Sequence, residues 1–212
     1  MDSMKERIAA GALFSDECEG MPQERRKAKA RMRAYNHSGS SALGLLHRYL
    51  LMKKIFGCKT LAWIEPPFYF AYGRHIHLGD YCYLNVNCSF IDDGEISVGD
   101  HSEFGPNVVI ATVGHPLDPS LRGYMYAEKV SIGSHVWIGA SVTILPGVSI
   151  GDNSVIGAGS LVSHDIPSNV LAYGSPCQVI RPLNEHDKTY YRHDRKIEAA
   201  DLAELERLAK KK

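Results

Sequence analysis

His115 lies in the tetrapeptide Val113-Gly114-His115-Pro116, near the start of the one long interruption in an otherwise regular chain. An imidazole with a pKa near 6.5 can take a proton from an attacking hydroxyl, so a histidine presented by such an excursion is a candidate general base. It is one of ten histidines, and a surface or structural role is the competing reading for any of them. Two more polar residues are weighed beside it. Asn85 follows the aliphatic Leu84, and Asp93 lies in the next unit of the same repeat. Because repeat units eighteen residues apart stack on one wall, both residues are expected in one constellation with His115. Asn and Asp at such corners also serve the turn backbone itself.

The elements that position these residues are announced by period. From Ile132 to Pro167 run six units of six residues, led by Ile132, Ile138, Ile144, Ile150, Ile156 and Val162, with Gly next in four of them. A helical period would scatter these aliphatics and a two-residue period would require alternation, so the pattern reads as a solenoid of short strands and corners. Its small residues are expected to let the backbone bend. Further units start at Leu78, Leu84, Phe90, Val98, Phe104 and Ile110, which makes about four turns at three units per turn. Ile110 and Ile132 are twenty-two residues apart where six would serve, and that excursion holds His115.

Before the coil, Ser3 is suited to cap a first helix that Gly11 ends, Pro22 to open a second, and Ala42 to Phe56 to form a third, with Leu43, Leu46 and Leu50 along one side. The basic run from Arg25 to Arg33 reads as a solvated helix face. Trp63 to Tyr72 is aromatic and extended, either a wall for a flat polar ligand or a lid on the coil. A last helix is expected over Ile197 to Lys212, and Pro176 is a candidate cis proline. Twenty-four basic residues balance twenty-four acidic ones, which argues against a nucleic-acid partner. No apolar run is long enough to span a membrane, and five cysteines without metal-type spacing fit reduced thiols in the cytoplasm.

The ordered segments RIAAGALFSDECEGMPQERRKAKARMRAYNHS, WIEPPFYFAYG, NVNCSFIDD, VGHP, VWIGA, PGVSIGDNSVIGAGS and GSPCQVIR resemble the galactoside and maltose O-acetyltransferases of the hexapeptide-repeat acyltransferases, over nearly the whole chain. The resemblance implies a mainly β fold: a left-handed parallel β-helix with an N-terminal helical segment and a C-terminal helix. That handedness is an exception to the usual crossover rule. It divides the chain into an acceptor-side helical segment over 1–60, the coil over 61–182 with its excursion over 111–131, and a helical tail over 183–212. It implies an acetyl-CoA-dependent O-acetyltransferase acting on a sugar or glycoside by direct attack, with His115 as base and no metal. Acceptor binding is carried onto Asp16, Asn85 and Asp93. Acetyl-CoA binding is carried onto Ala140, Ala158, Ser163, His164, Gln178 and Arg181, with the Ala140 N–H as oxyanion donor. Ala71 stands where relatives can carry serine, and His164 and Gln178 where they often carry basic residues. A homotrimer sharing its active sites is also implied. Other acetyl acceptors (an amino sugar, an antibiotic or serine), a zinc carbonic anhydrase and a non-catalytic scaffold on the same coil are the alternatives.

Overall fold

The computed structural model describes residues 3–56, 58–192 and 194–209. These form two compact units, Met1–Arg181 and Pro182–Lys212. The first unit is a parallel β-solenoid of about six turns whose strands stack on three faces. Face one stacks Trp63–Ile64, Tyr83–Leu84, Glu103–Phe104, Trp137–Ile138, Val155–Ile156 and Val170–Gly174, with Cys177–Pro182 at its end. Face two stacks Phe68–Phe70, Cys88–Ile91, Val109–Ala111, Thr143–Ile144 and Leu161–Val162. Face three stacks Ile76–Leu78, Ile96–Val98, Val130–Ile132 and Ser149–Ile150, and ends with a bridge from Ile150 to Ile166.

The register explains the repeat. Ile64, Leu84, Phe104, Ile138, Ile156 and Ala172 are paired in sequence along face one, and all are buried. Equivalent columns from the other faces meet them in one core. Each aliphatic thus occupies the same inward position as its counterpart one turn away, and its apolar surface leaves water. The regular units from Leu78 to Val162 show about four turns; the two ends escape the period, because Trp63 to Ile76 and Ile166 to Gly174 are spaced irregularly. That aromatic stretch is the first turn itself. Phe68 packs edge-on against Phe90, with ring centroids 5.3 Å apart.

The glycines after the leading aliphatics do not make the bend. Gly139 has an ordinary backbone conformation, but an added Cβ would lie 2.5 Å from the Ala158 nitrogen of the next turn. It permits close stacking of coils. The left-handed corner positions are filled instead by residues such as Asn87, Ser141 and Asn153.

Three helices precede the coil. Helix α1 (Met4–Ala9) begins with a reciprocal capping box between Ser3 and Glu6, and Gly11 follows it at φ +65°. Helix α2 (Met21–Asn36) carries Pro22 in its first turn. Its end is fixed to the first turn of the coil: Asn36 exchanges two hydrogen bonds with the Phe68 backbone, and the Tyr35 hydroxyl donates to the Ile64 carbonyl at 2.7 Å. Helix α3 (Ala42–Ile55) packs through Leu51, Met52 and Ile55, while Leu43, Leu46 and Leu50 face outward.

The excursion closes on itself. Val113–Gly114 pairs antiparallel with Tyr126–Ala127, and Phe14 bridges Met125. The Ser175–Pro176 bond is cis, as is Pro66–Pro67. In the second unit a short helix (Glu185–Thr189) and a two-strand hairpin precede helix Ala199–Ala209, whose Leu202, Leu205 and Leu208 are exposed. The closing residues Lys210 to Lys212 lie outside the described residues. No helix among those described is long and apolar enough to cross a membrane, and all five cysteines are free.

The adjacent pair Ser149 and Ile150 tests this inward-outward register. Ile150→Ala should lower the unfolding free energy by about 2 to 5 kcal/mol, and Ser149→Ala by less than about 0.5 kcal/mol, in urea titrations followed by circular dichroism. Equal losses would contradict the assignment of the two faces of this strand.

Candidate active site

The excursion supplies a histidine whose tautomer is set by the main chain. His115 is exposed, and its Nδ1 lies 3.0 Å from the Arg122 carbonyl oxygen and 3.1 Å from that of Tyr124. Both partners can only accept, so Nδ1 carries a proton, and in the neutral ring the lone pair falls to Nε2. These carbonyls belong to the returning limb of the same excursion. That limb is held by the Phe14–Met125 bridge, with N···O distances of 2.8 and 2.9 Å.

Asp93 sits at the same edge of the coil, between faces two and three, and is 6% exposed. Burial holds its carboxyl above the ordinary range, against the opposing pull of Arg25 and His115. Asp16 in the loop after α1 is ion-paired with Arg25. Arg25 also donates to the Tyr72 hydroxyl at 3.2 Å, and its guanidinium lies 5.6 Å from the centre of that ring. Burial raises the Tyr72 phenol above its usual range, and Arg25 draws it back. Asp16, Arg25, Tyr72, Asp93 and His115 therefore form one polar cluster on the edge between faces two and three. Arg25 and Tyr72 were not singled out from the sequence. Arg25 is one of six basic residues in a run that reads as solvated, and only the fold brings it to Asp16.

Asn85 does not join them. It follows face one, at the edge between faces one and two, where its Oδ1 accepts from the Val86 N–H at 2.8 Å. The expectation of a common wall with Asp93 fails because the two residues are eight apart, so the whole of the face-two strand Cys88–Ile91 lies between them. Four extended residues span about 13 Å.

The residues carried over for a donor divide along the same two edges. Ala140 and Ala158 follow face-one strands on the edge that bears Asn85, one position beyond Gly139 and Gly157, which continue the Asn85 column. The Ala140 N–H donates to no protein acceptor among the described residues. Ser163 and His164 follow a face-two strand, on the edge that bears Asp93, with Ser163 Oγ 2.9 Å from His164 Nδ1. Gln178 is exposed and Arg181 half-buried, both in the strand that ends the face-one sheet. No group of three or more His, Cys, Asp or Glu side chains among the described residues is arranged to hold a metal ion. The His101 and His135 rings lie stacked, with centroids 5.0 Å apart.

Residues 129–164 match the family model for the bacterial transferase hexapeptide (six repeats). A galactoside O-acetyltransferase of Escherichia coli (strain K12) is 48% identical over 200 residues, covering 93% of this chain and 98% of that protein. A galactoside acetyltransferase solved in complex with coenzyme A superposes with a TM-score of 0.90 at 48% identity, over 94% of this chain and 100% of the other. A maltose O-acetyltransferase from Clostridium difficile 630 gives 0.83 at 37% identity, over 87% and 99%. With the repeat, the coil and the order of its segments all shared, the chain belongs to the galactoside and maltose O-acetyltransferase family of hexapeptide-repeat transferases.

Proposed function

We propose that the protein transfers an acetyl group from acetyl-CoA to a hydroxyl of a sugar or glycoside by direct attack, with His115 as the general base. The observation that carries this reading is the pair of carbonyls on His115 Nδ1, which leaves Nε2 of the neutral ring able to accept a proton on the edge that also bears the buried Asp93. The acceptor hydroxyl attacks the thioester carbon while Nε2 takes its proton. The tetrahedral oxyanion is met by the Ala140 N–H. Collapse breaks the carbon–sulfur bond, and the imidazolium returns the proton to the departing sulfur. Asp16, Asn85 and Asp93 hold the other hydroxyls of the acceptor. Ala140, Ala158, Ser163, His164, Gln178 and Arg181 line the donor groove. The chemistry uses no metal.

The division of these residues between two edges supports a homotrimer. A base on one edge and an oxyanion donor on the other act on one carbonyl only if two chains meet edge to edge. Each chain then gives one edge to each neighbour, which turns face two toward a threefold axis. The outward column of that face is Tyr69, Ser89, Val109, Thr143 and Leu161, in register and without a charge. The domain boundaries follow the same division of labour: residues 1–60 serve the acceptor side, 61–182 the coil and 183–212 a tail.

A panel of sugars, glycosides and amines offered with acetyl-CoA, read by release of free thiol, should give turnover with hydroxyl-bearing sugars. His115→Ala should lower kcat by about 10²- to 10⁴-fold and leave acetyl-CoA affinity within about twofold. A variant that kept most of its turnover would remove His115 from the mechanism. Val109→Glu should convert a particle of three 23.5 kDa chains into an inactive folded monomer in light scattering. A stable, fully active monomer would defeat the shared site.

A further inference from the structure

Asp92, next to Asp93, takes no part in that chemistry and is 0% exposed. Its Oδ1 accepts from the N–H groups of Ala71 at 2.9 Å and Tyr72 at 2.8 Å, and its Oδ2 from that of His75 at 3.3 Å. Its own carbonyl oxygen accepts from His75 Nδ1 at 2.6 Å. The loop from Ala71 to His75 is thus wrapped around a single carboxylate. Burial pushes that carboxyl up to about 7, against the pull of the surrounding N–H groups. A buried carboxyl is costly unless its bonds compensate, so the wrapped loop and the acid depend on each other.

We infer that Asp92 is a positioning residue for the acceptor: it fixes Tyr72, on the wrapped loop, at a set distance from Asp93, the next residue in the chain. The loop has little freedom to settle elsewhere. Gly73 stands at φ +80°, and a Cβ there would lie 2.6 Å from Ile55 Cγ2. Tyr72 in turn accepts from Arg25, and Arg25 is paired with Asp16, so the order imposed by Asp92 passes through three residues of the cluster. This inference rests on the reading of that cluster as the acceptor site.

Asp92→Asn keeps the size of the side chain and one carbonyl oxygen, but turns the acceptor facing the His75 N–H into a donor. It should raise the KM for the sugar acceptor about tenfold or more while kcat at saturating acceptor and the KM for acetyl-CoA stay within about twofold. Tyr72→Phe, which removes the hydroxyl that accepts from Arg25, should raise the same KM. If Asp92 acts through Tyr72, the double variant should be no worse than the worse single one. An unchanged acceptor KM in Asp92→Asn, equal losses toward both substrates, or strictly additive effects would overturn the inference. Should circular dichroism show Asp92→Asn unfolded, Tyr72→Phe decides alone: an unchanged acceptor KM overturns the inference and a selective rise supports it. Failure of the unaltered protein to acetylate any sugar would instead refute the activity reading.

Discussion

The constraint on which the rest depends is the in-register stacking of buried aliphatics from one turn of the coil to the next. Ile138 lies between Phe104 and Ile156 on face one, and Ile144 between Ile110 and Val162 on face two. A slip of one residue would turn each inward side chain out to solvent, so the register is held by every turn at once. Helices α2 and α3, with Phe56 just past the end of α3, bring Tyr35, Met52 and Ile55 to the aromatic first turn and join the same core.

Straight edges follow from that stacking, and chemistry follows from the edges. Corners repeat along the coil, so a position at one edge is aligned with its counterparts above and below it. The edge between faces one and two presents main-chain groups and small side chains at Ala140 and Ala158. The edge between faces two and three bears the excursion, and with it a histidine, His115, whose Nδ1 is held by two carbonyls. Charge is concentrated on that second edge, where the Asp16–Arg25 pair and the buried Asp93 surround Tyr72. Burial makes these polar groups costly to leave unpaired, which favours a ligand rich in hydroxyls that supplies partners.

Much of this was legible in the chain. The six-residue period identifies the coil, and the long interruption marks the excursion that carries His115, because both are local properties of the sequence. The first turn was not legible, since Trp63 to Leu78 lacks the period and only pairing with Cys88–Ile91 and its neighbours shows it to be a turn. The outward set of Leu43, Leu46 and Leu50 was ambiguous for a different reason: helix α3 is apolar on more than one side, and helical spacing alone does not say which side is packed. Arg25 was hidden because its partners, Asp16 and Tyr72, lie in a loop and at a strand end that only the fold brings to it. Asn85 and Asp93 looked like neighbours on one wall, but spacing within a turn sets which edge a residue occupies, and eight residues cross from one edge to the next.

The central claim is that the base and the oxyanion donor of one site come from different chains. It is tested most directly by mixing two inactive proteins, one carrying His115→Ala and the other Ala158→Trp, which fills the donor groove on the opposite edge. After dissociation and reassembly, mixed trimers should recover a fraction of wild-type turnover, because some grooves then pair an intact His115 edge with an intact Ala158 edge. Mixed trimers that assemble but show no turnover above either parent would contradict it.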